Sequence, residues 1–225
     1  MNILKLFFIT LIFISCKKKG QVNTRYLSDI DGNKYELVKV CNATFIKTNL
    51  NVSKYRNGDV IPEVKNASDW KNLTTGAWCY YDNDPLNAGK YGKLYNYYAV
   101  IDPRGLAPTG YHIPSLQEWT SLATCLGDAQ AGGQLKSTGT LQTNTGLWLA
   151  PNLGATNSTS FSALPGGYRD KDGFFGNLNL DGIFWSRTEN STTNSWYFLL
   201  NANYANTGKY DNSKKYGFSV RVVAD

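Results

Sequence analysis

Histidine is almost absent from this chain: its 225 residues hold one, His112, beside one methionine and four cysteines. A single histidine removes Ser-His-Asp and Cys-His catalysis unless His112 itself serves, and no G-x-S-x-G elbow accompanies it. Its place in "GYHIP", just ahead of a helix start, favours a structural, hydrogen-bonded role. No CxxC or His-rich spacing exists, which argues against a zinc site. The glycine run "GDAQAGGQLKS" lacks the Gly-Lys-Ser ending of a phosphate loop and follows a helix signal instead of a strand, so it is not a nucleotide cradle. Basic residues exceed acidic ones, 23 to 17, but only Lys17–Lys19 form a block, which leaves no basic stripe for nucleic acid. No repeat with a period of about 20–50 residues recurs, which argues against solenoids and propellers.

What is present begins at the N-terminus. "MNILKLFFITLIFISCKKKG" carries Lys5, then an apolar run from Leu6 to Ile14 broken only by Thr10. A run of about 9–10 apolar residues is too short to span a bilayer and has the length of a secretory h-region. The "FISC" that ends it resembles a bacterial lipobox, in which the chain is cut before the cysteine that receives lipid. On this reading residues 1–15 are a lipoprotein signal peptide, Cys16 is the attachment residue, and residues 16–28 are a polar tether. The three lysines beside the lipid act as a membrane-proximal electrostatic anchor. This places the protein outside the cytoplasm, at a bacterial outer membrane or cell surface. No acidic sorting signal follows Cys16, so the leaflet stays open.

The remaining 200 or so residues suit one domain. They are rich in glycine (21), tyrosine (15) and tryptophan (6), a makeup that fits a loop-rich, β-containing extracytoplasmic domain with a core of large rings. "DIDGNKYELVKV" and "ATFIKTNLNV" predict a hairpin around Cys41–Asn42. "GAWCYYD" reads as a short strand, and "YGKLYNYYAVID" as a short helix with Leu94, Tyr97, Tyr98 and Ile101 on one face. "IPSLQEWTSLATCLGD" is the clearest element. Ser115 and Glu118 form a capping box, Trp119, Leu122, Ala123 and Leu126 form an apolar stripe, and Gly127 stops the helix. A second short helix follows in "AQAGGQLKST". From Phe161 onward, "GIFWSRT", "SWYFLLNANY" and "YGFSVRVVA" read as strands between Gly and Asn turns. Three cysteines, Cys41, Cys79 and Cys125, follow the anchor. Disulfides are permitted in this compartment, and an odd number leaves at least one thiol free in a monomer. Which two pair depends on distances the sequence does not contain.

The order of "DIDGNKYELVKV", "WCYYDNDPLNAGKYGKLYNYYAV", "LAPTGYHIPSLQEWTSL", "AGGQLKSTG", "FSALPGGYRDKDGFFG", "FWSRTENSTTNSWYFLL" and "YGFSVRVV" resembles the FISUMP family. That family is named for a major paralogous domain of Fibrobacter succinogenes and occurs largely in lipoproteins and surface proteins. The resemblance covers residues 29–225. It implies an α+β, C-type-lectin-like fold, with two short helices, small twisted antiparallel sheets and long loops, and it implies no established activity. Family members often carry cysteines where this chain has Ala107 and Val222, as if one disulfide had been lost whole. Another is frequent where Asn87–Ala88 stand here, which leaves Cys79 without its usual family partner.

The stretch "LPGGYRDKDGFFGNLNLDGIFWSRTE" is the candidate binding region. Leu164, Phe175 and Phe184 read as core. Tyr168, Arg169, Asp170 and Trp185 place flat rings beside charged donors and acceptors, as recognition of a glycan or a peptide requires. Their structural alternative is an Arg169–Asp170 pair and a Trp185 packed in the core. The sugar-binding triplets of calcium-dependent lectins are missing. "TENSTTNSW" still offers Glu189, Asn190 and Asn194 as oxygen ligands for calcium, fewer than the roughly 6–8 such an ion takes. No other cofactor is implied. The same fold class includes formylglycine-generating sulfatase modifiers, which use a cysteine pair, but Cys125 lies in a helix with no second cysteine close in sequence.

The expected function is therefore a lipid-anchored, non-enzymatic envelope module that binds a glycan or protein. The alternatives are an enzyme of the sulfatase-modifier type and a purely architectural protein. Metabolic labelling with a fatty-acid analogue should mark the wild-type protein and leave Cys16→Ser unlabelled. Equal labelling of the two removes the lipid anchor.

Overall fold

The computed structural model describes residues 26–225; Cys16 and the signal segment lie outside them. The mixed α+β architecture is assembled from short pieces, and each piece has a local cause. The first is a hairpin turn at Asp29–Asn33. The Asp29 carboxylate accepts from the N–H groups of Asp31 and Asn33, from Asn33 Nδ2 and from the Tyr35 hydroxyl. That turn pairs Tyr26–Ser28 with Lys34–Glu36. Tyr26–Ser28, in the segment expected to be tether, is thereby a strand, because the turn supplies a partner that the polar sequence "YLS" does not advertise.

Strand Lys34–Val40 turns back through Cys41 and Asn42 into Ala43–Ile46, with Cys41 at φ 54°. The five-stranded sheet then continues through Val223–Ala224 to Tyr111–His112, so residues from opposite ends of the domain lie side by side. Val223 faces Phe45 on one side and His112 on the other. A second antiparallel sheet holds Asp181–Glu189, Asn194–Asn201 and Gly208–Ser213, with Asn194–Asn201 in the middle. Two-stranded ladders join Trp78–Cys79 to Leu94–Tyr95 and Tyr168–Arg169 to Phe175–Gly176.

The helix Leu116–Cys125 lies against both larger sheets. Ser115 Oγ accepts from the Glu118 N–H, and the Glu118 carboxylate accepts from the Ser115 N–H, completing the expected capping box. Trp119 on its buried face stacks on Phe198 at 4.6 Å with rings 6° apart, and on Phe45 at 5.7 Å. A disulfide joins the helix's last residue, Cys125, to Cys41 at the hairpin tip. Cys79 is the buried free thiol, its pKa pushed up to about 12 by burial. His112 has a structural setting: Nδ1 lies 2.7 Å from Asp225 Oδ1, and Nε2 lies 2.7 Å from Glu118 Oε1.

Two segments differ from expectation. Residues 91–102 contain a strand pair, Leu94–Tyr95, and only one helical turn, Tyr97–Val100. The Asn96 side chain caps that turn by accepting from Ala99 N–H and Ala77 N–H, which starts the helix too late for Leu94 to join its face. Tyr97 is buried, and Ile101 stays 42 % exposed. Residues 217–222, expected as strand, thread the interior instead. Gly217, Phe218 and Ser219 make single bridges to Arg169, Tyr95 and Phe184 in turn, borrowing pairing from three different elements.

Long irregular stretches are tied down by buried cations. Arg221 donates to Asn49 Oδ1 and to the carbonyls of Ile46, Phe161 and Ser162. Lys136 donates to the carbonyls of Leu153, Asn201 and Tyr204, while burial pulls its pKa down to about 8. No helix among the described residues is long and apolar enough to cross a membrane.

The capping box gives a pH-dependent test. Burial pushes the Glu118 carboxyl up, but hydrogen bonds from Ser115 N–H, His112 and Ser115 Oγ together hold it below its ordinary value. A lowered folded pKa contributes stability above the unfolded value and loses it as pH falls through the folded one. Glu118→Gln should flatten the acid limb of a stability profile, and Ser115→Ala should cost about 1 kcal/mol at neutral pH. Unchanged unfolding midpoints in both would remove the cap from the stability of this helix.

Candidate functional site

The four residues expected to form one binding cluster separate into interior and surface. Along the short strand Tyr168–Arg169, successive side chains point to opposite faces; Tyr168 is half-buried and Arg169 is sealed inside. Arg169 makes no pair with Asp170. Its guanidinium donates to the carbonyls of Gly173, Val64 and Lys65 and lies 4.5 Å from the Trp70 ring and 4.9 Å from the Phe175 ring. Asp170 instead closes its own turn, accepting from the N–H groups of Asp172 and Phe174. Trp185 is 0 % exposed; Nε1 donates to the Tyr95 carbonyl at 2.8 Å, and the ring packs on Phe218 and Tyr97. Arg169 and Trp185 thus belong to the scaffold, and only Tyr168 and Asp170 reach solvent. Of the expected core residues, Phe184 is fully buried, while Leu164 and Phe175 are half-buried.

The residues suggested as calcium ligands make contacts of their own, and among their side-chain oxygens that of Glu189 is engaged. Glu189 accepts from Lys214 Nζ, Asn194 donates to Asp211, and the Asn190 N–H closes the turn onto the Asn194 carbonyl. Among the described residues, no group of three or more His, Cys, Asp or Glu side chains is placed to hold a metal ion.

Trp185 nevertheless points to a surface. In the three-stranded sheet it lies opposite Tyr197, which lies opposite Tyr210, so the three share one face. The other face carries Phe184, Phe198 and Leu200 into the core against the helix. On the Trp185 face burial fades outward, until Tyr210 is 54 % exposed. A row of rings results, each touching the next. Tyr168 is 5.9 Å from Tyr216, Tyr216 is 5.5 Å from Phe218, Phe218 is 4.9 Å from Tyr197, and Tyr197 is 6.1 Å from Tyr210. Phe218 is the buried floor of this row, and the four tyrosines are its half-exposed or exposed top.

At the Tyr210 end a cleft of about 150 Å³ opens between Tyr204 and Tyr210, with Leu199 as its base and Asn201, Asn206 and Thr207 along its wall. Asn201 is held in orientation, donating to Asp181 and accepting from the Asn203 N–H. Burial raises the Asp181 carboxyl above its ordinary value, and raises the Tyr197 phenol to about 12, so that ring is neutral at physiological pH. The chemistry on offer is flat aromatic area beside neutral donors and acceptors. A larger cleft of about 330 Å³ beside Ser28–Ile30 is less suited to a ligand. Its cations are already engaged, Lys54 with Asp31 and Arg56 with the Ala107 carbonyl.

Tyr197, Tyr210 and Tyr216 were not legible as companions of Tyr168 because only the folded chain brings these separate segments together. The nearest signal was the apolar alternation in "SWYFLLNANY". Its partner strand, "GKYDNS", is polar at every position but Gly208 and Tyr210 and carries no strand pattern of its own.

The sequence model of the Fibrobacter succinogenes major domain (Fib_succ_major) matches residues 38–224, a span that holds the whole tyrosine row. No curated protein and no solved structure matches the chain.

Scaffold and surface separate by mutation. Trp185→Ala should cost about 3–5 kcal/mol of stability. Tyr210→Ala should stay within about 0.5 kcal/mol of wild type. Chemical denaturation of both variants checks this, and a stable Trp185→Ala protein would overturn the placement of that ring in the core.

Proposed function

The chain belongs to the Fibrobacter succinogenes major domain family, and from that premise we propose that it is a lipid-anchored, non-enzymatic binding module of the bacterial cell envelope. Its ligand is a glycan or a protein, and its binding surface is the tyrosine face of the three-stranded sheet. The lipid is carried by Cys16 behind a signal peptide of residues 1–15, which places the domain at the outer membrane or cell surface. We read the fold as C-type-lectin-like. The presence of the first and last strands in one sheet, the small second sheet and the long irregular loops support that reading.

One observation carries the binding function: a row of rings in which Tyr168, Tyr216, Tyr197 and Tyr210 are partly open to solvent over the buried Phe218, beside a cleft walled by amides and a hydroxyl. Large rings left on a surface rather than in a core mark recognition sites. An enzyme of the sulfatase-modifier type would have to use Cys41 and Cys125, which are bonded to each other. The cleft beside that disulfide, about 240 Å³, has Glu118 as its one charged lining residue, and Glu118 is engaged by Ser115 and His112.

The test is a binding screen of the protein against glycans, polysaccharides and fractionated envelope components, with and without calcium, run beside Tyr204→Ala/Tyr210→Ala. Both tyrosines are exposed, 61 % and 54 %, so the double variant should fold normally. The expected result is binding that weakens at least about tenfold in the variant. Binding that the variant leaves unchanged would place the function on another surface.

A further inference from the structure

Resting on the tyrosine face as the binding surface, we infer that its ligand is a neutral, linear polysaccharide laid along the ring row. The rings at the two ends of the row are held flat by glycines. Tyr210 lies over Gly208, where an added Cβ would come within 2.5 Å of the ring's Cε2. Tyr168 lies over Gly176, its cross-strand partner, where an added Cβ would come within 2.7 Å of the ring's Cζ and hydroxyl oxygen. In each case one ring face is seated on backbone, which fixes the ring's tilt before any ligand arrives. Preorganised rings lose little freedom on binding. Sugar rings present C–H groups on one face and hydroxyls around the rim. Flat aromatic rings pack the first, and amides and hydroxyls at the border satisfy the second.

The cleft at the Tyr210 end supplies those groups from uncharged side chains, while Asn206 and Thr207 also border an adjoining cleft with Lys209 and Asp128. Asn206 and Thr207 line the cleft beside Tyr210, and neither side chain takes a hydrogen-bond partner among the described residues. No acidic or basic residue lines that cleft. Nearby Asp211 is occupied by Asn194. An anionic polymer would find no free cation in the cleft to draw it. A peptide adding to the sheet would use the backbone edge of Gly208–Ser213, and the rings stand on the face and not the edge. Between rings that reach solvent, the contacts along the row are 5.9 Å for Tyr168–Tyr216 and 6.1 Å for Tyr197–Tyr210, with buried Phe218 between the two pairs, so the row offers two ring pairs to an extended chain rather than one seat to a single residue.

Calorimetric titration of the full lipidated protein in detergent micelles tests this. The probes are cellohexaose and xylohexaose as neutral chains, hexagalacturonate as an anionic one, and a neutral hexapeptide. A neutral hexasaccharide should bind with little dependence on ionic strength. Tyr210→Ala should weaken it about tenfold. Gly208→Ala, which keeps the ring but displaces it, should weaken it as well. Tyr26→Ala removes an exposed ring outside the row and should change nothing. Preference for hexagalacturonate or the peptide, or equal binding by Gly208→Ala and wild type, overturns the inference. The screen above separates the two levels. If an envelope component there binds in a Tyr210-dependent way while neither neutral hexasaccharide binds here, the ligand class is wrong and the binding face stands. If Tyr210→Ala alters neither measurement, both fall.

Discussion

Lys136, Arg169 and Arg221 are sealed in the interior, and each is satisfied by carbonyl or amide oxygens rather than by a carboxylate. Burying a charge is costly unless every donor finds an acceptor. The acceptors here come from irregular segments and two strand ends: residues 64–65 and 173 around Arg169, 153, 201 and 204 around Lys136, and 46, 49 and 161–162 around Arg221, with 46 and 201 the strand ends. Loops that lack a ladder or a helix still carry backbone carbonyls needing partners. One cation gathering three of them serves in place of secondary structure. The arrangement is mutual. The loops hold their shape because a cation collects their carbonyls, and the cation tolerates burial because the loops surround it.

The tyrosine face inherits its rigidity from this interior. Arg169, beside Tyr168 in sequence, is clamped between Trp70 and Phe175, which fixes the strand from which Tyr168 projects. Lys136 holds the Asn201 and Tyr204 carbonyls, so the wall of the cleft at the far end of the row is anchored from below. Phe218, buried between Tyr216 and Tyr197, joins the two halves of the row through the core. Tyr168 and Tyr204 are thus tied to buried cations, Tyr168 through the next residue and Tyr204 through its own carbonyl.

Sequence reading succeeded where the cause was local. Ser115, Glu118 and the Trp119–Leu122–Ala123 stripe specify their helix within a dozen residues, and the turn at Cys41–Asn42 lies between two alternating runs. It failed where a partner from afar decided the outcome. Leu94 and Tyr97 fit a helical face, but a strand pair with Trp78–Cys79 and the Asn96 cap divide that segment. Arg169 stands next to Asp170 in sequence, but Arg169 reaches inward to three backbone carbonyls while Asp170, past the strand's end, closes its own turn. Tyr26–Ser28 and Gly208–Ser213 are edge strands whose polar residues carry no core pattern. The Cys41–Cys125 bond needed a distance, and the tyrosine row needed four segments brought together.

The position of Val223 sets a timing constraint on folding. It lies inside the five-stranded sheet, hydrogen-bonded between a strand that starts at Ala43 and another at Tyr111. Until residue 223 is available, that sheet is split in two and the Phe45 side of the core stays open. Pairings between residues so distant in sequence form late and slowly. The three-stranded sheet of residues 181–213 needs no such partner, so the two sheets are subject to different closing steps, and the Phe45 side of the core seals only when Val223 has joined.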